Sequence, residues 1–416
     1  MELLRNAVRP YAWGSRTAIA DLLGRPVPTP HPEAELWMGA HPGDPSRVVR
    51  PDGEEVSLLS LLEADPEHHL GPVCVQRWGG RLPFLLKVLA ADEPLSLQAH
   101  PSAEQAAEGF RLEEEAGIAR NAPNRNYPDP TAKPELVCAL TEFHALAGFR
   151  EAQRTVRLLD ELAVPSLRAH RELLAAQPDA DGLRALFTTW ITLPENYLRE
   201  VLPELLEACV EHVRAHGEFA LECRTVLELG EAYPHDAGVL ASLLLNRIVL
   251  QPGEAIFLPA GNLHAYLNGT AIEILANSDN ILRCGLTPKH VDVPELLRVL
   301  DFACGDMRVL KGESLDANLT AYRTPADEFE LSRLDWTPAE SGVVHLDSPG
   351  PQILLCTKGS IQLTSCTHNG SVPRELRLDR GQSVWLAASD PAVQVRPVEL
   401  DAEGRAQVFR AAAGAF

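Results

Sequence analysis

One stretch constrains the fold more than any other. From Gly253 the chain reads G-EAIFL-P-A-G-NL-H-AYL-N, which is Gly253, five residues, Pro259, one residue, Gly261, two residues, His264, three residues and Asn268. A Pro-Gly turn, a short apolar run and a tight Pro-x-Gly corner leave room only for short antiparallel strands. The strand after the corner opens on His264. Alternation then puts His264, Tyr266 and Asn268 on one face, which reads as an interior. Asn268 and Gly269 form the dipeptide of a two-residue hairpin turn.

The rest of the chain divides around that stretch. Up to about residue 148 it is rich in Pro and Gly. Its apolar runs LPFLLKVLA (82–90), PLSLQAH (94–100) and PELVCAL (134–140) are strand-length and bounded by turn residues. From 150 to about 241, segments such as TVRLLDELAVPSLRAHRELLAA space apolar residues at i, i+3, i+4 and i+7, which predicts amphipathic helices. Prolines 165, 178, 194, 203 and 234 should divide these into short units. Strand signals return over 246–285, a short helix is expected over 294–302, and strands fill the chain from about 320 onward.

The Gly253 pattern resembles the second sequence motif of the cupin family, whose small jelly-roll barrels hold a metal inside the sheet. A degenerate version begins at Gly381, with Ala387, Ser389 and Ala392 at the offsets of Pro259, Gly261 and His264. None of the three offers a metal ligand. The expected fold is therefore mainly β with a helical insertion: two cupin-type jelly-roll barrels plus an α-helical domain. A discontinuous catalytic barrel would take 1–149 and 246–318, a helical insertion 150–245, and a metal-free cupin-like barrel 319–416, the last for structure or docking.

Composition narrows the partners. The chain has 58 acidic and 37 basic residues and a net charge of -21. That balance argues against a nucleic-acid groove or an anionic membrane surface, both of which need clustered Lys and Arg. No apolar run approaches the roughly 20 residues that span a bilayer, and the opening MELLRNAVRPYAWGS lacks a secretory pattern. The eight cysteines are scattered without a C-x-x-C pair, so neither a thiolate zinc site nor a disulfide scaffold is expected. A cytoplasmic, monomeric protein acting on a small molecule, with no nucleic-acid or membrane partner, is the expectation.

A catalytic metal needs three or four lone-pair donors at about 2.0–2.2 Å. PLSLQAHP supplies Gln98 and His100 at i and i+2, one face of a strand, and TAKPELV supplies Lys133 and Glu135 in the same relation. His264 closes the set from the barrel motif. Gln98, His100, Glu135 and His264 form a borderline-hard donor group that suits zinc, with manganese, iron and cobalt as competitors. Glu104 is a rival carboxylate. Pro101 breaks the strand before it and EQAAEGF is helical in pattern, so Glu104 should face away. His31, His41, His68 and His69 lie in Pro- and acid-rich stretches and read as solvated surface. Tyr11, Trp13 and Trp37 read as core anchors.

Several segments in order make a wider resemblance: YAWGS (11–15), AELWMGAHP (34–42), LPFLLKVL (82–89), PLSLQAHP (94–101), KPELV (133–137), LPAGNLHAYL (258–267) and ANSDNILRCGLTPKHVD (276–292). Together they are similar to the type I phosphomannose isomerases from the N-terminus to about residue 302, and the likeness thins across the C-terminal barrel. Membership implies reversible conversion of mannose 6-phosphate and fructose 6-phosphate with one zinc per chain. The resemblance carries zinc ligation to Gln98, His100, Glu135 and His264, the active-site arginine to Arg283, and substrate surroundings to Lys87, Ser96, Lys133, Glu273, Asp279 and Lys289. One departure is Ala132, where many bacterial relatives carry His before the KPE lysine; this shifts weight to Lys133.

Aldose–ketose isomerisation moves a proton between C2 and C1 through a cis-enediol, and a bound zinc can orient the two oxygens and disperse their charge. Arg283 can stabilise the enediolate without acting as a base. Lys133, Asp279 and Glu273 are the alternatives for the proton shuttle. Lys87 stands in an otherwise apolar strand, which is costly unless it faces the site. Ser96 shares a face with Gln98 and His100, and Lys289 is assigned to substrate through the resemblance alone. Two competing readings are a non-catalytic cupin that binds or senses a sugar phosphate, and a metal-dependent cupin oxygenase. The retained cations and the full donor set favour the isomerase.

Overall fold

The computed structural model describes residues 1–347, 350–366 and 373–414. The chain is mostly β sheet with helices, organised about one long strand, His264–Ala276. Its first part pairs with Leu97–Ala99 and Phe143–Phe149; its second part pairs with Phe84–Ala91 and Glu135–Ala139. The register shifts between Tyr266 and Asn268, and Gly269 takes φ +114°. A Cβ there would lie 2.5 Å from the Glu142 carbonyl oxygen, so only glycine lets the strand bend through this point.

That bend corrects two sequence expectations. Asn268 and Gly269 do not form a hairpin turn, because the strand runs on through them. Asn268 is exposed rather than interior, because the register shift breaks the alternation that His264 and Tyr266 obey.

From the bend, one antiparallel series runs through Ala7–Arg9, Glu35–Met38, Phe84–Ala91, His264–Ala276, Glu135–Ala139, Ala255–Leu258 and Val309–Leu310. A second branch joins Leu282–Gly285 and Leu97–Ala99 on one side of His264, and Phe143–Phe149 and Leu245–Leu250 on the other. All eight residues of Phe84–Ala91 are buried. A strand covered on both faces needs this near-continuous apolar run, and Lys87 is its one charged residue.

The helical block runs from Ala152–Leu162 to Ala237–Ser242. Leu158, Phe187, Trp190 and Leu205 share a core with Leu97, Leu146, Ala265 and Leu267. The helices therefore back the branch that carries His264 and Gln98. Pro203 does not divide the block: it lies inside the continuous helix Glu195–Arg214. It is exposed, so the carbonyl it leaves unbonded faces water, while buried Val201, Leu202 and Leu205 hold the helix by packing.

Toward the C-terminus, a nine-stranded sheet faces a four-stranded one across Leu334, Trp336, Leu354, Ile361, Leu378 and Val395. Three of the nine strands, Glu2–Arg5, Arg47–Val49 and Glu55–Ser57, come from the N-terminal segment. The degenerate motif ends in a loop that docks on the helix Pro66–Trp78: Ala388 and Ser389 donate backbone N–H bonds to the carbonyls of His69 and His68 at 2.9 and 3.1 Å. His69 is thus buried, not solvated, and accepts from the Trp385 indole at 3.4 Å.

Candidate active site

Two cross-strand rows build the site. On one branch, register places Ala147, His264, Gln98 and Arg283 side by side. On the other, Trp37, Lys87 and Glu273 align, and Glu135 follows two residues along the face from Val137, which pairs with Glu273. The two rows meet at Glu135. Its Oε1 lies 3.3 Å from His100 Nε2 and its Oε2 lies 3.6 Å from His264 Nε2.

Both imidazoles are fixed from behind. His100 Nδ1 donates to the Asn280 carbonyl at 2.7 Å and His264 Nδ1 to the Asn262 carbonyl at 3.0 Å. A carbonyl can only accept, so each ring presents the lone pair of Nε2 to the centre. One donor atom from each of His100, Glu135 and His264 falls within 4.8 Å of the others, and all three residues are buried. His100 Nε2 is enclosed without a hydrogen-bond partner. Tetrahedral ligands at about 2.1 Å from a zinc ion stand about 3.4 Å apart, which the two contacts to Glu135 match. The Gln98 amide reaches 3.4 Å from His264 Nε2; two nitrogens in contact fit better with the amide turned over, its oxygen toward the centre.

The electrostatics suit a cation. Burial, with help from His100, pushes His264 down to about 4, so its imidazole is neutral. Burial works against ionisation of Glu135. Interaction with His100, and then the field of Lys133, outweighs it and holds the carboxyl well below the usual range. Lys133 lies 3.3 Å from Glu135 Oε1 and is buried.

A second group of charges lies along the same inner face. Lys87 Nζ sits 3.3 Å from Glu273 Oε2 and 3.5 Å from Glu35 Oε1, and 5.3 Å from the Trp37 ring centre. Burial disfavours its charge, but the two carboxylates win and its pKa is raised. Glu273 is pushed up to about 7 by burial against the pull of Lys87. Tyr266 OH, 3.5 Å from Glu135 Oε2, connects this group to the ligands.

Next to Gln98 in register, Arg283 lines a cavity of about 520 Å³ together with Lys289, Asp279, Arg120 and His290 among others. Arg283 is half-buried and makes no hydrogen bond or ion pair among the described residues; desolvation lowers its pKa. Burial and Arg283 together lower that of Lys289. Asp279 is kept ionised chiefly by His41, whose Nε2 stands 3.2 Å away. Ser96 is half-buried two residues before Gln98. Glu104 is exposed on the helix Ala103–Glu115 and bonded to Ser102, so the rival carboxylate does face away.

His41 is the other correction. It is buried against Trp37, ring centres 4.9 Å apart, and reaches Asp279 from 238 residues away. Sequence reasoning also passed over Glu35, Asn280 and Asp129. Glu35 ties Trp37 Nε1 (2.7 Å) to Lys87. Asp129 accepts from Ser278 Oγ at 2.9 Å and Asp279 N at 2.8 Å, fixing the loop whose Asn280 carbonyl orients His100. A carboxylate in the apolar run AELWMGA was the available signal for Glu35; Asp129 and Asn280 act through loops, which carry none.

Buried imidazoles and a carboxylate at zinc-ligand spacing inside β sheet, with Arg283 and Lys289, unpaired among the described residues, lining a cavity next to Gln98, define a metal-binding enzyme of anionic substrates. The sequence model of the phosphomannose isomerase type I catalytic domain matches residues 1–152. The mannose-6-phosphate isomerase of Escherichia coli K12 is 40% identical over 404 residues, covering 95% of this chain and 97% of its own. A crystal structure of a variant phosphomannose isomerase from Salmonella typhimurium superposes with a TM-score of 0.88 at 35% identity, covering both chains completely. A zinc-bound mannose 6-phosphate isomerase gives 0.87 at 35% identity, covering 100% of this chain and 99% of its own. This chain belongs to the type I phosphomannose isomerase family.

Proposed function

We propose that this chain interconverts mannose 6-phosphate and fructose 6-phosphate, using one zinc ion held by Gln98, His100, Glu135 and His264. The convergence of His100, Glu135 and His264 carries that reading, since each imidazole is oriented by its own carbonyl and His100 Nε2, enclosed beside Glu135, has no hydrogen-bond partner. When bound, zinc supplies charge dispersal on the substrate oxygens.

The chain's own groups do the rest. Arg283 and Lys289 meet the phosphate and the developing enediolate from the cavity they line, where Arg283 has its full hydrogen-bonding capacity free. Ser96 supports the same side. Lys87 already shares its charge with Glu35 and Glu273, so it holds sugar hydroxyls rather than the phosphate. Lys133 carries the proton from C2 to C1 while the hydroxyl proton passes from O2 to O1. Asp279 and Glu273 position the sugar and relay protons to it.

The same reading makes the catalytic part, 1–149 with 246–318, a cupin jelly roll. The insertion at 150–245 backs it, and 319–416 completes a second, metal-free barrel with strands lent by the N-terminal segment. Among the described residues no helix is long and apolar enough to cross a membrane; a cytoplasmic monomer remains part of the proposal. The test is conversion of mannose 6-phosphate by the full chain before chelation, after chelation and after zinc is returned. Loss and recovery are expected, and an undiminished rate in metal-free protein overturns the reading.

A further inference from the structure

The last helix of the insertion, Ala237–Ser242, starts against the end of Leu282–Gly285, the strand that carries Arg283. The approach leaves no room for a side chain. A Cβ on Gly285 would lie 2.7 Å from Asp236 Oδ1 and 3.0 Å from the backbone of Gly238. Asp236 ties the two elements together. Its Oδ1 accepts from Gly238 N at 2.6 Å, which caps the helix, and its Oδ2 accepts from Leu286 N at 3.0 Å.

Leu286 is where the chain turns after the strand. It takes φ +56°, a left-handed conformation that is costly for any residue with a Cβ. Glycine would avoid that cost, but here the side chain is needed: it is buried and shares the insertion's core with Val239, Leu240 and Leu282. The turn is therefore held twice, by the packed side chain and by the Asp236 carboxylate on the amide.

What the turn delivers is Lys289, which lines the same cavity of about 520 Å³ as Arg283. Burial and the field of Arg283 both disfavour its charge. Neither side chain forms an ion pair among the described residues, so the backbone must hold the two cations together against their repulsion. A doubly charged anion between them would relieve it.

We propose that Asp236 is a positioning residue for the isomerase: acting through Leu286, it sets Lys289 beside Arg283 so that both meet one phosphate group. The helical insertion, which supplies none of the zinc ligands, thereby sets the affinity for the substrate's anionic end. This deepens the reading above and rests on it, since it takes the phosphate to lie at Arg283 and Lys289.

The experiment compares the zinc-loaded full chain with Asp236→Asn. The amide keeps one oxygen for the helix cap, a place where Asn serves as well as Asp. Its NH2 then faces the Leu286 N–H, and two donors cannot bond, so the cap stays and the tie to Leu286 is lost. The KM for mannose 6-phosphate and the calorimetric Kd for inorganic phosphate should each rise about tenfold, as for one hydrogen bond to a charged group. The kcat should stay within about twofold and the zinc content unchanged, the pattern of lost uniform binding. Asp179→Ala is the control, because Asp179 caps the helix Ala180–Ile191 of the same insertion. It should lower Tm and leave KM and Kd alone. Should Asp236→Asn fail to fold, Gly285→Ala, whose methyl wedges Asp236 away from Leu286, must give the same rise. Wild-type constants in Asp236→Asn, an equal rise in Asp179→Ala, or no phosphate binding by the wild type overturns the proposal. Absence of turnover in the wild type instead sinks the isomerase reading, and phosphate binding, which needs no turnover, still decides the role of Asp236.

Discussion

Glu135 bridges the two rows of the site, and its neighbours tolerate it only as an anion. Glu135→Ala should abolish bound zinc and turnover while leaving the melting transition cooperative, measured by metal analysis and calorimetry. Retained zinc and rate would refute the ligand set. Lys133→Met separates the proton shuttle from metal binding. Zinc content should stay at the wild-type level and the rate should fall by at least about 100-fold, the scale of general acid–base catalysis. At this scale the meeting of His100 and His264 beside Gln98 was legible because alternation and turn spacing are local: Q-x-H puts two side chains on one face, and P-x-G-x-x-H starts a strand on the third. His41, Glu35 and Asn280 were not. Their partners lie at sequence separations of 238, 52 and 180 residues, and no periodicity encodes a contact of that kind.

Among the elements, the bent strand His264–Ala276 sets the distance between the two rows. Gly269→Val would place a side chain against the Glu142 carbonyl oxygen at positive φ, at a cost of about 3 kcal/mol from strain and overpacking. A lowered melting temperature together with weaker zinc binding is expected; an unchanged Tm would show that the bend is not needed. The start of the strand at His264 was read correctly from its apolar run, but its continuation through Asn268 and Gly269 to Ala276 was not. Asn-Gly is a turn signal when its partner strands are adjacent in sequence, and here they come from Phe84–Ala91 and Phe143–Phe149. The helix Pro66–Trp78 gives a pH prediction. Burial, reinforced by His68, lowers the pKa of His69 from 6.5, against the fields of Glu2, Asp65 and Asp390. A depressed imidazole pKa means the unfolded chain takes the proton more readily. The contribution of His69 is therefore present above pH 6.5 and is lost as pH falls through and below that value. His69→Gln should flatten the fall in Tm between about pH 7 and pH 5. An identical profile in the variant would assign the acid lability elsewhere.

For the molecule as a whole, the order of β, helical and β segments was legible from the change in period along the chain. Which sheet each N-terminal strand joins was not, since short strands of similar composition fit either. Glu2–Arg5 lies between Ser383–Leu386 and Arg47–Val49, partners separated by most of the polypeptide. On the ribosome, one edge of that strand can pair with Arg47–Val49 early, while its other edge must wait until residues near 386 emerge. Final closure of that edge is then late relative to synthesis of the N-terminal strands. Any stop codon upstream of that point would strand an unpaired edge in the nascent product and expose it to aggregation or degradation.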